Sequence, residues 1–369
     1  MHGRSERYPA WRRYRRTIAV NVNPGALFRT CARASRHENG NVQLDRGGRE
    51  LTVYVAALTR RRSRMLQELL LSWSRMAIPE RCRVTCLIVE NDTSELSKPV
   101  VDELRHRFDH AELDYVLEPN LGIPFGRNRA AREAIAGKAD LLLFVDDDEV
   151  VAEDWLVRMI AGYRSSRARL MGAPLRARMP TEPLSYLQRK MFSNIDFRYR
   201  HKENRAKKRA DLNSTRRVTV VTNNWLAETS LFTDHGIWFD EGMRFTGGTD
   251  AKFYSDACKA GIATGWVADA FVYETISPDR LSFRYQYQRA RDQSNTHMSR
   301  KNLPWHSAAF HAVLGSFVKI PPCALLFLAI PLTGGKTALN AARTLGWIAG
   351  RLGYVFGTKS SLYFDVTGN

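Results

Sequence analysis

Short apolar runs alternate with amphipathic stretches from Leu51 onward, and this alternation constrains the fold more than any other feature of the sequence. The runs 51–58, 84–89, 113–117 and 141–145 are typical of buried strands. Between them apolar residues recur at helical spacing, and Ser63 is expected to cap the first helix. Strands that alternate with helices predict an α/β fold with a mostly parallel sheet and helices on both of its faces.

The second half of the chain departs from this pattern and then returns to it. Basic and aromatic residues over 176–217 predict a long mobile insertion. A strand over 218–222, a helix over 249–260 and a last strand over 266–273 are expected to follow.

Two apolar stretches follow near the end of the chain. The run 320–332 contains three prolines and is shorter than the roughly 20 residues that a spanning helix needs. The stretch 337–356 spaces its apolar residues as an amphipathic helix does. We interpret the pair as an interfacial or re-entrant membrane attachment; a helical cap on the soluble core is the alternative.

The net charge of +18 is concentrated outside the strand-and-helix body. Residues 1–50 hold 11 Lys and Arg against 4 Asp and Glu, and they are expected to form a flexible basic arm. Residues 51–175 and 218–274 together hold 21 basic against 27 acidic residues. An anionic membrane surface suits this distribution as well as nucleic acid does. Because the sequence contains no recognisable nucleic-acid module, we expect no nucleic-acid partner and keep nucleic-acid binding as an alternative.

Four consecutive acids, residues 146–149, directly follow the apolar run 141–145. Carboxylates this close repel one another unless a cation or protonation neutralises them. Mg²⁺ and Mn²⁺ prefer carboxylate oxygens, so this run predicts a divalent-metal site. A solvated acidic turn before the next helix is the alternative. Residues 59–62 and 90–93 are also polar strand ends, and ligands bind parallel sheets beyond such ends.

These motifs resemble those of the inverting family 2 glycosyltransferases of the GT-A fold, over roughly residues 51–300. The family's Asp-x-Asp element is matched by residues 146–148, and its opening strand, which ends in Thr and Arg, by Ala57–Arg60. Its base-reading acidic turn is matched by residues 90–92, and its Asn-x-Gly and Arg-Asn pair by residues 120–128. The resemblance implies a Rossmann-like GT-A domain with Mn²⁺ or Mg²⁺ as cofactor.

The resemblance also assigns roles to individual residues. Gly247, Gly248 and Asp250 are similar to the family's Gly-Gly-Glu-Asp element, which makes Asp250 the expected catalytic base. A helix-start residue is the alternative. The segment from Val272 resembles the bacterial exopolysaccharide (succinoglycan-type) branch, where Glu274 is a further metal candidate or a structural salt bridge. The implied metal ligands are Asp146, Asp148 and Glu274, and the implied nucleotide-sugar-binding residues are Ala57, Thr59, Arg61, Glu90, Asn91, Asp92, Arg127, Asp146, Asp147, Asn224 and Arg289.

The expected organisation has four parts. They are a basic flexible arm over 1–50, a nucleotide-sugar-binding half over 51–175, an acceptor-binding half with a basic insertion over 176–300, and an amphipathic and apolar membrane-associating region over 301–369. The Gln286 to Ala290 segment only partly resembles the Gln-x-x-Arg-Trp element of processive synthases, because Trp is absent. This difference favours addition of a single sugar.

The resemblance implies transfer from a nucleotide-sugar, as a UDP-sugar, with inversion. The expected acceptor is polyprenyl-diphosphate-linked or a glycan, in bacterial surface polysaccharide synthesis. The enzyme is expected at the cytoplasmic face of the inner membrane, peripheral or monotopic, where its basic segments meet an anionic membrane surface. A metal-dependent nucleotidyltransferase is the alternative, which would release pyrophosphate rather than a nucleoside diphosphate.

Overall fold

The computed structural model describes residues 48–215, 218–244, 247–299, 301 and 304–358. The predicted basic arm lies outside the described residues except at its last three positions, and so does the end of the chain, residues 359–369. The described residues form ten strands and ten α-helices. The strands are β1 (Leu51–Thr59), β2 (Cys82–Glu90), β3 (Glu112–Leu117), β4 (Leu141–Asp146), β5 (Glu149–Val151), β6 (Leu170–Gly172), β7 (Leu175–Arg178), β8 (Trp225–Glu228), β9 (Thr264–Trp266) and β10 (Val272–Thr275).

The first seven helices lie between strands along the chain, and the last three follow β10. They are α1 (Ser63–Trp73), α2 (Lys98–Leu104), α3 (Ile123–Ala136), α4 (Trp155–Arg164), α5 (Tyr186–Arg209), α6 (Ser230–Thr233), α7 (Thr249–Lys259), α8 (Phe283–Ser299), α9 (Trp305–Leu332) and α10 (Ala338–Val355).

A seven-stranded sheet in the order β3-β2-β1-β4-β8-β6-β9 forms the centre of the molecule. Strand β8 runs antiparallel to both of its neighbours, and the other pairs are parallel. Alternate residues of β1 enter different cores: Val53 and Val55 pack with α1, α2 and α4, whereas Ala56 packs with α3 and α7. The predicted α/β fold with helices on both faces is therefore confirmed.

A second sheet of three strands, in the order β5-β10-β7, carries part of the predicted site. Strand β10 is antiparallel to β5 and parallel to β7. In this register Glu274 lies opposite Glu149, and the Thr275 amide donates to the Asp148 carbonyl at 3.0 Å. The small sheet thereby brings residue 274 to the acidic run.

Two strand predictions were wrong in position. Residues 218–222 form no strand, and β8 at Trp225–Glu228 pairs with β4 instead. The predicted strand 266–273 is divided into β9 and β10, which belong to different sheets. The β-branched residues of 218–222 have a high strand propensity, but pairing and packing decide which segment joins a sheet.

The segment predicted as a mobile insertion forms α5, a helix of 24 residues. Ser185 caps it, since the Gln188 amide donates to the Ser185 hydroxyl at 3.3 Å and the Ser185 amide donates to the Gln188 side chain at 2.9 Å. Met191 and Ile195 are buried beneath it. Because charged residues are frequent in this segment, its apolar stripe was not recognised in the sequence. The start of α1 also differs from expectation, since Ser63 is its first residue and makes no side-chain cap bond.

The apolar run near the C-terminus is part of a helix much longer than predicted. Helix α9 has 28 residues and continues through Pro321, Pro322 and Pro331, so it is about 42 Å long at the usual helical rise. Its most apolar window of 18 residues has a mean hydropathy of 2.0 and is 11% buried. Among the described residues it is the one helix with the length and composition to cross a membrane. The expectation of a run too short to span was wrong, because the prolines do not end the helix.

The stretch predicted as an amphipathic helix is α10, which packs tightly on α8. A Cβ atom on Gly346 would lie 2.2 Å from the Tyr287 carbonyl oxygen, and one on Gly350 would lie 2.0 Å from the Arg291 carbonyl oxygen. Only glycine permits this approach. Helix α9 in turn buries a narrow stripe of small residues, including Ala308, so α10 joins α9 to the body of the protein.

Five aromatic side chains connect the strands beneath the predicted site with α7. The rings of Phe239 and Phe253 are 4.6 Å apart, and those of Trp225 and Phe253 are 5.5 Å apart. The cluster consists of Phe144, Trp225, Phe232, Phe239 and Phe253. It fixes α7 relative to β4 and β8.

We expect Phe253→Ala to lower the free energy of unfolding by about 3–5 kcal/mol, because it opens a cavity in a cluster that cannot collapse. The shift in the urea unfolding midpoint measures this cost. Phe197→Ala is the matched control, because Phe197 is 68% exposed. A midpoint for Phe253→Ala equal to that of the control would contradict the packing role of the cluster.

Candidate active site

The carboxyl ends of β1, β2 and β4 lie side by side, since Thr59 pairs with Glu90 and Leu58 pairs with Asp146. A cleft of about 860 Å³ opens beyond these ends, which is the usual place for ligands of an open α/β sheet. The predicted site residues that line it are Thr59, Asn91, Arg127, Asp146, Asp147, Asp148, Asp250, Glu274 and Arg289. The predicted residues outside its lining are Ala57, Arg61, Glu90, Asp92 and Asn224.

Three carboxylates form the acidic cluster at the end of β4. One oxygen from each of Asp146, Asp148 and Glu149 lies within 4.8 Å of the others. Burial and the neighbouring charge of Asp148 raise the pKa of Asp146 to about 7. Burial and the charge of Asp146 raise the pKa of Glu149 well above its usual value. Negative charge in the cluster is therefore poorly compensated by the protein.

Two arginines neutralise Asp148 of this cluster and the two carboxylates beside it, Asp147 and Glu274. Arg62 lies 2.8 Å from Asp147, and Arg280 lies 2.8 Å from Asp148 and 2.9 Å from Glu274. Within the described ranges, neither Asp146 nor Glu149 forms an ion pair. These hard oxygen donors, still in need of a positive charge, fit a magnesium or manganese ion. The sequence alone did not single out Arg62; its position three residues after the end of β1 was the available signal.

Glu274, a predicted metal ligand, lies beside the acidic cluster rather than within it. Arg280 binds one of its oxygens, and the Tyr199 hydroxyl donates to the other. This arrangement matches the salt-bridge alternative, and the metal role of Glu274 stays a prediction. Glu149, and not Glu274, is the third carboxylate of the acidic cluster. The metal ligands implied by the resemblance did not include Glu149, although it is the fourth acid of the run.

Glu90 holds a loop instead of facing the cleft. Its carboxylate accepts hydrogen bonds from the Ser97 amide at 2.9 Å, the Ser97 hydroxyl at 2.9 Å and the Tyr115 hydroxyl at 2.6 Å, and it is fully buried. Asp92 is likewise engaged, by Arg61 at 2.6 Å. Both carboxylates already bind side chains or amides of the protein, so the structure does not place Glu90, Asp92 or Arg61 in the cleft.

Asn91 shapes the turn that begins α3. Its amide group donates to the Glu118 carbonyl at 3.0 Å and to the Asn120 carbonyl at 2.8 Å, and its oxygen accepts from the Gly122 amide at 2.7 Å. Gly122 has a φ of +135°. A side chain there would be strained and would meet Arg244, since a Cβ atom would lie 2.6 Å from the Arg244 Cγ. The turn aims α3 so that Arg127 enters the cleft.

Asp250 lies in the first turn of α7 and lines the same cleft as the acidic cluster. Its carboxylate accepts from the Ala251 amide at 2.8 Å. The neighbouring Thr249 hydroxyl accepts from Arg127 at 2.8 Å, which joins α7 to α3. The carboxylate can act as a proton acceptor for a ligand in the cleft, and it also complements the positive end of the helix.

Asn224 belongs to the core, and its neighbour Asn223 lines the cleft. The Asn224 amide group donates to the Pro174 carbonyl at 2.9 Å and to the Ala270 carbonyl at 2.8 Å, and its oxygen accepts from the Trp155 indole at 2.9 Å. Asn224 was expected to lie beyond the end of a strand over 218–222. Because the strand lies at 225–228 instead, Asn224 comes just before it and is buried. Ala57 is also a core residue, since its side chain is buried between the sheet and the helices.

Comparisons with known proteins agree with this geometry. Residues 49–295 match the family described as "Glycosyltransferase like family 2". The succinoglycan biosynthesis protein ExoM of Rhizobium meliloti (strain 1021) is 27% identical over 255 residues, which are 67% of this chain and 74% of that protein.

Two solved structures are similar to this chain. The mannosyltransferase PcManGT from Pyrobaculum calidifontis, in complex with GDP-Man and Mn²⁺, superposes with a TM-score of 0.56 at 16% identity, covering 91% of this chain and 96% of that one. The S. aureus TarS 1–349 structure in complex with UDP has a TM-score of 0.48 at 16% identity, covering 84% and 92%. The mostly parallel sheet with helices on both faces is a fold of the GT-A type. The chain belongs to glycosyltransferase family 2, so it is a glycosyltransferase, and the resemblance seen in its motifs is confirmed.

We expect Asp146→Asn to stabilise the metal-free protein at pH 8, because it removes a carboxylate whose pKa is raised to about 7 in the folded state. A carboxyl group whose pKa is raised in the folded state binds more protons folded than unfolded, so its cost to stability begins as the pH rises above its unfolded pKa and is complete above its folded pKa. The advantage of the variant should shrink at pH 5.5, where Asp146 is protonated. Melting temperatures at both pH values measure it.

The same preparations test the metal assignment. Mn²⁺ at pH 8 should raise the melting temperature of the wild type by mass action and raise that of Asp146→Asn much less. The matched control is Asp154→Asn, because Asp154 is an exposed carboxylate that pairs with Arg158 outside the cleft. An equal response to Mn²⁺ in all three proteins would exclude Asp146 as a ligand.

Proposed function

We propose that the protein transfers a single sugar from a nucleotide-sugar to a lipid-linked or polysaccharide acceptor, with inversion at the anomeric carbon. The observation that carries the proposal is that one cleft is lined by Asp146 and Asp148 of the acidic cluster and by Asp250. The acidic cluster suits a nucleotide diphosphate with its metal, and the Asp250 carboxylate suits the acceptor hydroxyl. A UDP-sugar is the proposed donor on the resemblance of the motifs at residues 57–60, 90–92 and 120–128, of which Thr59, Asn91 and Arg127 line the cleft.

Asp146, Asp148 and Glu149 are the residues that would hold Mn²⁺ or Mg²⁺. When bound, the ion would offset the charge that develops on the nucleoside diphosphate leaving group. Arg280 fixes the Asp148 carboxylate from the other side at 2.8 Å. Thr59 fixes Asp147, to which its hydroxyl donates at 3.0 Å. The acidic run is therefore held in position by the protein before any ligand enters.

Asp250 is the proposed general base. It takes the proton of the acceptor hydroxyl while the hydroxyl oxygen forms a bond to the anomeric carbon and the bond from that carbon to the diphosphate oxygen breaks. The contact of Arg127 with Thr249, and the packing of Phe253 in the aromatic cluster, fix α7 and thus the direction of the carboxylate. Rigid support of this kind keeps the base aligned with its substrate.

The exposed face of α9 supports an attachment to the membrane. Large apolar side chains project from it into solvent, and Phe317 is 74% exposed while Leu328 is 70% exposed. Apolar surface of this extent is unusual on a protein that has only water around it. We propose that α9 enters the inner membrane from its cytoplasmic face, where the exopolysaccharide acceptor is held, and that the basic segments face anionic lipid.

We expect Asp250→Asn to reduce the rate of sugar transfer by about 10²–10⁴-fold, because asparagine keeps the size but cannot accept the proton. Donor binding should remain. Release of nucleoside diphosphate measures the rate, and calorimetry measures the affinity for the donor. Release of pyrophosphate from the wild type would instead identify a nucleotidyltransferase.

Asp256→Asn is the control for this experiment, because Asp256 lies on the same helix and pairs with Lys252 on its exposed side. It should transfer at close to the wild-type rate. If Asp250→Asn transfers as fast as this control and only melts at a lower temperature, Asp250 stabilises the helix and is not the base.

The membrane attachment is tested by three substitutions on the exposed face of α9. Phe317→Gln, Leu325→Gln and Leu328→Gln together should release most of the protein into the soluble fraction, because each removes apolar surface that lipid would cover. Fractionation of cells measures the distribution. The control is a triple variant of exposed apolar residues on the body, Leu96→Gln, Met179→Gln and Phe197→Gln. Equal distributions would contradict an attachment through α9.

A further inference from the structure

Four cations carried by α5, α8 and α10 lie beside the cleft, two of them outside its lining. This basic cluster consists of Arg198 and Lys202 on α5, Arg289 on α8 and Arg343 on α10. Lys202 and Arg289 line the cleft itself. Among the residues that the structure describes, no carboxylate forms an ion pair with any of the four.

Arg343 is held against α8 by its hydrogen bond to Gln286 at 2.8 Å, and the charges of the four side chains act on one another. Loss of hydration together with the charges of Arg198 and Arg289 lowers the pKa of Arg343 to about 10. Loss of hydration and the charges of Arg198, Arg289 and Arg343 also lower the pKa of Lys202. Glu274 is the acidic neighbour, but Arg280 and Tyr199 already bind it. Like charges that converge without a counter-charge indicate a site for an anion.

Gln286 separates the basic cluster from the acidic cluster and connects the two. Its side-chain amide donates to the Arg280 carbonyl at 2.6 Å, and its oxygen accepts from Arg343 at 2.8 Å. Arg280 in turn binds Asp148. Buried side chains therefore connect the acidic cluster and the basic cluster, which we call the acidic end and the basic end of the cleft; Arg60, Arg62, Arg127 and Arg244 also line the cleft, outside the basic cluster. A metal-bound donor suits the acidic end and leaves the basic end for another molecule.

The basic end faces the part of the protein that carries α9. Phe283 lies one turn before Gln286 on α8, and its ring centre is 5.8 Å from that of Phe327 on α9. Thr337, just before α10, donates to the Leu326 carbonyl of α9 at 3.1 Å. A molecule with an anionic head and an apolar tail would meet cations first and the exposed apolar helix next.

We propose that the basic cluster binds the phosphate or diphosphate group of a membrane-anchored acceptor. This inference rests on the proposed function, since it supplies the second substrate of the same cleft. It assigns Lys202 and Arg343 to the acceptor and explains why a basic helix, α5, borders an acidic active site. Arginine and lysine are the usual partners of phosphate groups, and their hydrogen bonds to an anion are charge-assisted.

Farnesyl diphosphate, a soluble prenyl diphosphate, is the probe for this site, with the full-length protein in detergent and calorimetry as the measurement. It should bind without Mn²⁺. Lys202→Gln and Arg343→Gln should each weaken its binding by about tenfold, the usual effect of losing one charge-assisted hydrogen bond. The binding of UDP with Mn²⁺ should change by less than about twofold. Lys202→Arg should restore the affinity for farnesyl diphosphate.

Lys208→Gln is the matched control, because Lys208 lies on the exposed side of α5 and outside the cleft lining. It should leave both affinities unchanged. An equal loss of UDP affinity in Lys202→Gln and Arg343→Gln would assign the cluster to the donor and overturn the proposal. So would an equal loss in the control, which would indicate general surface charge, or no loss in any variant. Failure of the wild type to bind UDP-sugar with Mn²⁺ would instead count against the proposed function, since farnesyl diphosphate binding is measured without it.

Discussion

The repulsion among five buried or half-buried carboxylates is the constraint on which the active site depends. Residues 146–149 and Glu274 converge at the junction of the two sheets, and an apolar surrounding makes each of these charges costly. Arg62 and Arg280 neutralise three of the five, and they come from the ends of β1 and β10. The buried carboxylates therefore lower the stability of the protein locally, and they lack positive charge that a divalent ion would supply.

The other elements hold this charged region in place from outside. The aromatic cluster joins β4, β8 and α7, and Arg127 connects α3 to α7 through the Thr249 hydroxyl. Asp250 therefore faces the acidic cluster from a second, rigid element across a single cleft. On the remaining side, α8 and α10 pack so closely that glycines are required at 346 and 350, and this contact positions both Arg343 and α9. Helices α8 and α10 therefore join α9 to the wall of the cleft.

Much of the sheet and the acidic run could be predicted, because both are local patterns. The strands β1 to β4 follow from apolar runs, and the need for a cation at residues 146–149 follows from adjacent charges. The structure departs from the expected site where neighbours in space decide the outcome. Asn224 was assigned to the site by the resemblance of a loop expected after a strand over 218–222, but that run does not pair and the Asn224 side chain has three core partners. Glu90 was assigned by motif position, yet Ser97 and Tyr115 occupy its oxygens.

The sequence by itself determined the α/β class, the family and the acidic strand end, since hydrophobic periodicity and consecutive charges act over a few residues. Only the tertiary structure decided which carboxylates stay uncompensated, because Arg62 lies 85 positions from Asp147 and Arg280 lies more than 100 positions from Asp148. It also decided that the basic insertion is a helix on the wall of the cleft and that α9 continues through its prolines. Long-range packing sets each of these, and no local pattern records which distant side chain will neutralise or bury another.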